Sequence, residues 1–156
     1  MLVDLHVHSY ASDGTLSPTE LVIHAKENGL SAIALTDHDT INGLDEAIDA
    51  GKLYQVEVIP GIELAAEFTT DNLHILGYCI KYKNNDFIKK LEPIQNSRDI
   101  RNQKMILKLN DLGFSVTMDE IYNISDDSNN SKNIITRAHF AKALYNKGYV
   151  SSIQET

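Results

Sequence analysis

The sequence contains one cysteine, no tryptophan and three prolines in 156 residues. The single cysteine, Cys79, excludes an internal disulfide, so a hydrophobic core must hold the fold together. Hydrophobic residues make up 42% of the chain, and a chain of this size can bury such a core. We therefore start from one domain-sized unit without covalent cross-links.

Basic residues are also scarce, since 14 lysines and arginines stand against 22 aspartates and glutamates. An acidic surface is unsuited to a long nucleic-acid duplex, whose binding requires many neutralised phosphates. No apolar run approaches the roughly 18 residues that a membrane span requires. The first residues lack a basic flank followed by an apolar stretch, so we expect a cytoplasmic protein without a membrane partner.

Short apolar runs alternate with amphipathic stretches in the first part of the chain. This alternation is typical of βαβ units and a parallel sheet. The predicted strands are 2–5, 31–35, 56–59, 62–68 and 73–78, the last two joined by a turn at 69–72. The sequence therefore predicts an α/β fold for this part.

Two helices are predicted between the first three strands. The stretch 17–20, Ser-Pro-Thr-Glu, has the pattern of a capping box with proline in the first turn, and Gly29 marks the end of that helix. Thr40 or Asn42 is expected to cap the second helix, which would run to about Lys52.

The sequence after residue 82 is charged and has the period of helices. We predict helices at about 86–112 and 136–146, with a polar loop at 126–133 between them. The chain therefore divides into an α/β part, 1–82, and an inserted helical subdomain, 83–156.

Histidines and carboxylates follow the predicted strands. His6 and His8 stand two residues apart at the end of the first strand, so their side chains share a face. Asp37-His38-Asp39 follows the second strand, Glu63 follows the third, and His74 lies in the returning strand. Because the carboxyl ends of parallel strands gather on one rim of a barrel, these residues are expected to converge. A carboxylate among imidazoles can hold two or more divalent ions, which lower the pKa of water and stabilise phosphoryl oxygens.

Each of these residues also has a plainer interpretation when taken alone, as a strand-end charge or a satisfied buried histidine. Asp13 with Gly14 fits a turn or a cap equally well. Asp37 and Asp39 either orient the ring of His38 or cap the next helix.

Five stretches resemble the PHP (polymerase and histidinol phosphatase) superfamily: DLHVHS at 4–9, SDGTLSP at 12–18, TDHDT at 36–40, PGIE at 60–63 and HILGY at 74–78. The second stretch is most similar to the small stand-alone phosphoesterases of this superfamily, which hydrolyse nucleoside 3′,5′-bisphosphates and trim short RNA from the 5′ end. The resemblance implies the N-terminal portion of a distorted (β/α)7 barrel, with residues 83–156 as an inserted helical subdomain.

The resemblance also implies two or three divalent ions. The imidazole-rich donors favour Mn, Fe or Zn, with Mg as an alternative. The implied ligand pairs are His6 with His8, Glu63 with His74, and Asp13 with His38, with Glu63 bridging two ions. Arg137 and His139 resemble a family stretch that contacts substrate phosphate, and an arginine suits that role. The alternative is a surface arginine and a packed histidine.

The chain departs from the family in its later part. Further ligands, including an Asp-x-His near the end, are missing, and His139 is the only histidine after His74. We therefore expect this chain to be the N-terminal part of a longer protein. A half barrel would leave a sheet edge uncovered, which predicts self-association.

The predicted function is a metal-dependent phosphoesterase that acts on a small phosphorylated nucleotide or a short oligonucleotide, although the chain by itself could be inactive. Histidinol-phosphate phosphatase and a non-catalytic metal-binding module of a larger assembly are the alternatives. A related metallo-amidohydrolase would use a carboxylated lysine, and no lysine stands at the expected strand end.

Overall fold

A four-stranded sheet occupies the first half of the chain in the computed structural model, which describes residues 1–68, 71–125 and 133–155. The strands are β1 (Leu2–Val7), β2 (Leu30–Leu35), β3 (Glu57–Phe68) and β4 (Asp71–Tyr78), in this order across the sheet. β1, β2 and the first part of β3 are parallel, and β4 returns antiparallel to β3. β1 extends two residues beyond its predicted end and therefore includes His6.

Helix α1 (Pro18–Glu27) connects β1 to β2 and begins as the sequence predicted. The Ser17 hydroxyl accepts a hydrogen bond from the Glu20 backbone N–H at 3.1 Å, and the Ser17 N–H donates to the Glu20 carboxylate at 2.9 Å. The predicted end is also confirmed, because Gly29 has a φ of +73° directly after the helix.

Helix α2 (Leu44–Tyr54) connects β2 to β3, but its predicted cap was wrong. The N-cap residue is Gly43, and no side chain caps the helix. A Cβ at position 43 would lie 3.0 Å from a Pro18 side-chain carbon and 3.3 Å from the Asp37 carboxylate, so a capping side chain has little room there. The Thr40 hydroxyl instead accepts the N–H of Asn42 at 3.2 Å.

β3 is one strand where the sequence predicted two. Residues 57–60 pair in parallel with β2, and from Gly61 onward the strand pairs with β4. A Cβ at position 61 would lie 2.7 Å from the Thr36 side chain, so glycine allows the close approach at this change of partner. Thr69 and Thr70 of the predicted turn lie outside the described residues, whereas Asp71 and Asn72 already belong to β4.

The rest of the described chain contains helices joined by loops: α3 (Asn85–Asp111), α4 (Met118–Ser125), α5 (Arg137–Asn146) and a 3-10 turn (Ile153–Glu155). The long helix and the last α-helix were predicted, although Thr136 is the N-cap of α5 and not its first residue. α4 was not predicted. The predicted polar loop, 126–133, lies outside the described residues except for Asn133.

Two hydrophobic cores hold these elements. The first lies between the sheet and the crossover helices, and its buried members are Val22, Ala25, Ile33, Leu35, Leu44, Ala47, Ala50 and Val56. The second lies among α3, α4 and α5, and its buried members are Val116, Ile121, Ile135, Phe140, Ala143 and Leu144. The candidate site therefore rests on a sheet that is packed on one side by its own helices.

The outer edge of β1 is open. Among the described strands β1 pairs only with β2. Leu2, Val3 and Leu5 are 63%, 50% and 42% exposed, which is unusual for the first strand of a parallel sheet. Across the described part of the chain, no helix combines the length and apolar character that crossing a bilayer would require.

Candidate metal centre

Glu63 is the centre of the histidine cluster that the sequence predicted. Its side chain is buried, and one carboxylate oxygen, Oε2, lies 2.8 Å from His6 Nε2 and 3.0 Å from His8 Nε2. The other oxygen, Oε1, lies 2.5 Å from His74 Nδ1. One carboxylate therefore contacts three imidazoles from two segments of the chain, the end of β1 and β4.

The parallel sheet explains why these residues meet. His6 lies in β1 and His8 follows its end, while His38 follows the end of β2. Glu63 was expected after the third strand but lies within β3, beyond the change of partner, where it forms an isolated bridge with His38. Two backbone hydrogen bonds fix this bridge, from Asp39 N–H to Glu63 O at 2.9 Å and from Glu63 N–H to Asp37 O at 3.2 Å.

Asp13 joins the cluster from the loop after β1. Its carboxylate oxygens lie 3.4 Å from His8 Nδ1 and 3.6 Å from His38 Nε2. The neighbouring residue must be glycine, because a Cβ at position 14 would lie 2.2 Å from the carbonyl oxygen of His8. The turn interpretation and the ligand interpretation of Asp13-Gly14 are therefore compatible.

The donor atoms form three overlapping groups, in each of which the atoms lie within 4.8 Å of one another. The groups are His6 with His8 and Glu63, His8 with Asp13 and His38, and His38 with Glu63 and His74. Each predicted ligand pair falls in a different group. The third member of each group also belongs to a neighbouring group: Glu63 in the first, His8 in the second and His38 in the third. Adjacent cations bridged by common ligands would suit this arrangement.

The chemistry of the donors fits metal ions. His38 Nδ1 is buried and has no hydrogen-bond partner among the described residues. A buried polar atom without a partner is costly, and a cation bound to its lone pair would satisfy it. The ring centroids of His6, His8, His38 and His74 follow one another at 5.1, 4.8 and 5.0 Å, so the four imidazoles form one continuous row of nitrogen donors.

The surroundings also set the charges of the ligands. Burial acts to raise the pKa of Glu63, but the hydrogen bond from His6 and the nearby His38 outweigh it, and the pKa lies below its ordinary value. Burial lowers the pKa of His38, against the opposing effect of Asp13 and Glu63. An anionic carboxylate and a neutral imidazole are the forms that bind metal.

Asp37 and Asp39 have roles other than the two that were considered. The Asp37 carboxylate accepts hydrogen bonds from the Ser9 N–H at 2.8 Å, the Ser9 hydroxyl at 2.6 Å and the Ser12 hydroxyl at 2.7 Å. Burial raises its pKa, although these hydrogen bonds oppose the shift. Asp39 has a φ of +50°, forms a buried ion pair with Arg98 and accepts the Ala65 N–H at 3.1 Å. Both carboxylates therefore hold the loops of the site together.

Arg137 and His139 begin helix α5 beside the cluster but line different cavities. Arg137 lines a cavity of about 170 Å³ together with Asp13, His38 and His74. His139 lines a cavity of about 110 Å³ on another side of Asp13, with Lys142. His139 is buried, and its Nδ1 accepts the Thr136 N–H at 3.0 Å. The contacts of His139 therefore agree with the plainer interpretation of this residue, a packed histidine.

Two further residues of the site, Arg98 and Arg101, were missed from the sequence. Both line the same cavity as Arg137, and they lie one helical turn apart on α3. Their spacing was the available signal, because side chains three residues apart share a helix face. A pair of arginines on an amphipathic helix is more commonly a solvated surface, which is why the spacing alone did not identify them.

A half-barrel with imidazole and carboxylate donors at the carboxyl end of its parallel strands is typical of α/β barrel proteins that bind divalent metal ions. The sequence profile of the PHP domain matches residues 4–154. The chain therefore belongs to the PHP domain family, and the predicted resemblance is confirmed.

Individual relatives agree with this assignment. The chain is 37% identical over 149 residues to a 5′-3′ exoribonuclease of Haemophilus influenzae, covering 96% of this chain and 52% of the relative. It is 31% identical over 152 residues to a 3′,5′-nucleoside bisphosphate phosphatase of Chromobacterium violaceum, covering 97% of this chain and 52% of the relative. A solved structure from Bifidobacterium adolescentis, described as a candidate metal-dependent phosphoesterase, is 28% identical and has a TM-score of 0.88 over 98% of this chain and 52% of the other.

The chain spans about half the length of these relatives. This coverage agrees with the expectation that it corresponds to the N-terminal part of such a protein. The predicted fold, a portion of an α/β barrel with added helices, is likewise supported by the high structural similarity over nearly all of the chain.

Proposed function

We propose that this chain carries part of the active site of a metal-dependent phosphoesterase, which hydrolyses a phosphate ester of a small nucleotide or of short RNA. The observation that carries the proposal is the buried Glu63 carboxylate with three imidazole nitrogens within 3.0 Å of its oxygens. Relatives named as a nucleoside bisphosphate phosphatase and an exoribonuclease support the substrate class.

The proposed metal ligands are His6, His8, Asp13, His38, Glu63 and His74. They would hold two or three divalent ions, Mn, Fe or Zn by their imidazole-rich chemistry, with Mg as the alternative. Such ions, when bound, lower the pKa of water and neutralise phosphate oxygens. His8, His38 and Glu63 each belong to two of the three groups, so they would keep neighbouring ions side by side.

Arg137 and His139 are proposed to bind the reacting phosphate. Because His139 Nδ1 accepts the Thr136 N–H, its neutral ring carries the proton on Nε2, which can donate to a phosphate oxygen. Burial lowers the pKa of His139, which favours this neutral form. Arg137 is exposed beside His38 and His74, and its planar guanidinium can donate two parallel hydrogen bonds to phosphate.

The first test measures metal binding and does not depend on catalytic activity. The chain is purified without chelator, and its metal content and Mn²⁺ affinity are measured for His8→Ala and for His24→Ala, an exposed histidine on α1. We expect His8→Ala to lower the affinity by at least about tenfold, because even indirect partners of a metal contribute that much. Equal affinities in the two variants would contradict the proposed ligands.

The second test measures phosphate release from adenosine 3′,5′-bisphosphate with added Mn²⁺, with histidinol phosphate as the competing substrate. Turnover of the nucleotide that is lost in His8→Ala supports the phosphoesterase proposal for this chain. Metal binding without turnover would favour the alternative of a non-catalytic metal-binding module. The cytoplasmic location expected from the sequence stays a prediction.

A further inference from the structure

A buried chain of hydrogen bonds leads from Asp37 to the ring of His8. The Asp37 carboxylate is buried, and the fully buried Ser12 hydroxyl donates to its Oδ1 at 2.7 Å. The same hydroxyl oxygen lies 3.3 Å from His8 Nδ1. Ser12 therefore connects a carboxylate outside the proposed ligand set to the ring of a metal-ligand candidate.

The direction of these hydrogen bonds follows from the donors available. A hydroxyl has one proton, and the Ser12 oxygen lies closer to Asp37, at 2.7 Å, than to Asp13 Oδ1, at 3.4 Å, so the proton points to Asp37. The Ser12 oxygen can then only accept a hydrogen bond from His8. Asp13 Oδ1 lies 3.4 Å from the same ring nitrogen and is also an acceptor. Both oxygens beside His8 Nδ1 therefore favour the tautomer with the proton on Nδ1.

This tautomer matters because of the other ring nitrogen. His8 Nε2 lies 3.0 Å from Glu63 Oε2, an oxygen that His6 Nε2 also contacts at 2.8 Å. With the proton on Nδ1, His8 Nε2 presents a lone pair, which is the form of imidazole that binds a cation. In the opposite tautomer Nε2 would carry the proton and donate it to Glu63. The tautomer of His8 therefore decides between a metal ligand and a hydrogen-bond donor.

Ser12 suits this role better than Asp13 does. Asp13 is itself a proposed metal ligand, so a bound cation would compete with His8 for its oxygen. Ser12 already donates to Asp37, and hydrogen bonds in a chain polarise one another, which makes the Ser12 oxygen a stronger acceptor. Its complete burial also keeps water from replacing the contact with His8.

We propose that Ser12 and Asp37 are positioning residues that hold the proton of His8 on Nδ1, so that Nε2 is free for the ion shared with His6 and Glu63. Ser12 accepts the Nδ1–H, and Asp37 draws the Ser12 proton away from the ring. This inference rests on the metal ligands of the proposed function. It assigns a role to two side chains that contact the ion only through His8.

Ser12→Ala and Ser9→Ala form a matched pair of variants. Both remove a buried hydroxyl that donates to Asp37, at 2.7 and 2.6 Å, but only the Ser12 hydroxyl has a described hydrogen bond to the His8 ring. A role limited to holding the loop would affect the two variants alike. We expect Ser12→Ala to lower the Mn²⁺ affinity at least about tenfold, the usual effect of losing a partner of a metal-bound histidine. Ser9→Ala should bind Mn²⁺ about as tightly as wild type.

The tautomer itself is measured by ¹⁵N NMR of the histidine-labelled chain with chelator present, since protonated and unprotonated ring nitrogens differ in chemical shift. The pH is mildly alkaline, where histidine rings are ordinarily neutral. We expect the His8 proton on Nδ1 in wild type and Ser9→Ala. In Ser12→Ala it should shift towards Nε2, where Glu63 is the neighbouring acceptor.

The same His8 tautomer in wild type and Ser12→Ala would overturn the inference, and so would equal losses of Mn²⁺ affinity in the two alanine variants. A wild-type chain that binds no Mn²⁺ would contradict the proposed ligands and this inference with them. Both expected effects without phosphate release would support the inference and contradict only the proposed catalytic activity of this chain.

Discussion

Asp13 reaches two histidines of the candidate metal centre because the residue beside it has no side chain. The loop folds so tightly that Gly14 N–H donates to the Ser9 carbonyl at 2.9 Å, and any Cβ at position 14 would overlap with the backbone of His8. The identity of a glycine therefore determines the position of a carboxylate. This dependence illustrates how a residue without a functional group can be essential to a site.

His139 gives a prediction on the pH dependence of stability. Its folded-state pKa is lowered by burial below the ordinary value of 6.5, so the unfolded chain takes up the proton first as pH falls. Stability that is present above pH 6.5 is therefore lost as pH falls towards the folded pKa. Protonation also removes the acceptor that completes the N-cap of α5, which is worth about 1 kcal/mol. His139→Gln keeps an acceptor at the third helical position and does not titrate.

We expect His139→Gln to lose less stability than the wild-type chain between pH 7.5 and 5.5, in urea unfolding with chelator present. His24→Ala serves as the control, because it removes an exposed histidine from α1 and leaves the N-cap of α5 intact. The same slope of stability against pH in wild type and His139→Gln would contradict the role of His139.

The convergence of the metal-ligand candidates could be predicted from the sequence because they stand near the carboxyl ends of the segments that pair in parallel. His6, His38 and Glu63 stand near successive strand ends, which is a pattern that chance rarely produces. The arginines could not be predicted in the same way. Their convergence depends on how α3 and α5 pack over the sheet, and that packing has no short-range sequence signal.

At the scale of elements, one ion pair connects α3 to the loop that carries His38. Arg98 is 7% exposed and Asp39 is fully buried, and the Gln95 side chain also donates to the Asp39 carbonyl at 2.8 Å. The helix is thus fixed at two points to the residue next to a metal-ligand candidate. Movement of α3 would displace this loop.

Replacing Arg98 with Met leaves the Asp39 carboxylate buried without its cation. We expect this change to lower the free energy of unfolding by about 3–5 kcal/mol, the usual cost of breaking a buried ion pair. The double variant Asp39→Asn, Arg98→Met removes both charges and should recover a large part of that loss. Chemical denaturation measures all three chains, and equal destabilisation of the single and double variants would show that the charge pair is not the cause.

The elements predicted best were those with local start signals. The start of α1 was correct because residues 17–20 form a capping box that needs no tertiary contact, and Gly29 marked its end. α4 was overlooked although Thr117 and Glu120 form the same reciprocal pair, with hydrogen bonds of 2.9 and 3.3 Å. The prediction of two strands in place of β3 was wrong because Pro60-Gly61 normally indicates a turn. Only the tertiary fold makes these residues the point where the strand changes its partner.

At the scale of the whole molecule, the open edge of β1 predicts association. An exposed edge with apolar side chains offers unpaired backbone groups to another strand. Val3→Lys places a charge on this edge and should keep the chain monomeric, whereas the wild-type chain should associate as its concentration rises. Leu53→Lys is the matched control, because Leu53 is 73% exposed on α2, away from the edge. Sedimentation equilibrium tests this prediction, which fails if all three chains have the same mass.

The incomplete barrel could be anticipated from what the sequence lacks, because a family resemblance specifies ligands that are absent after His74. The position of the helical residues relative to the site could not be anticipated from the sequence. The sequence indicates that 83–156 is helical, but nothing in its periodicity says that α5 begins beside Asp13, where its N-terminal residues enter the site. Such placement follows from long-range packing alone.

The open edge and the metal centre share one strand. His6 lies on β1 with its side chain 49% exposed, so a strand that pairs along this edge would order a ligand of the cluster. Binding at two coupled sites is reciprocal. If an edge partner raises the affinity of the cluster for an ion by some factor, the ion must raise the affinity for the partner by the same factor. The effect of the ion on strand pairing and the effect of strand pairing on ion affinity would then report the same coupling free energy.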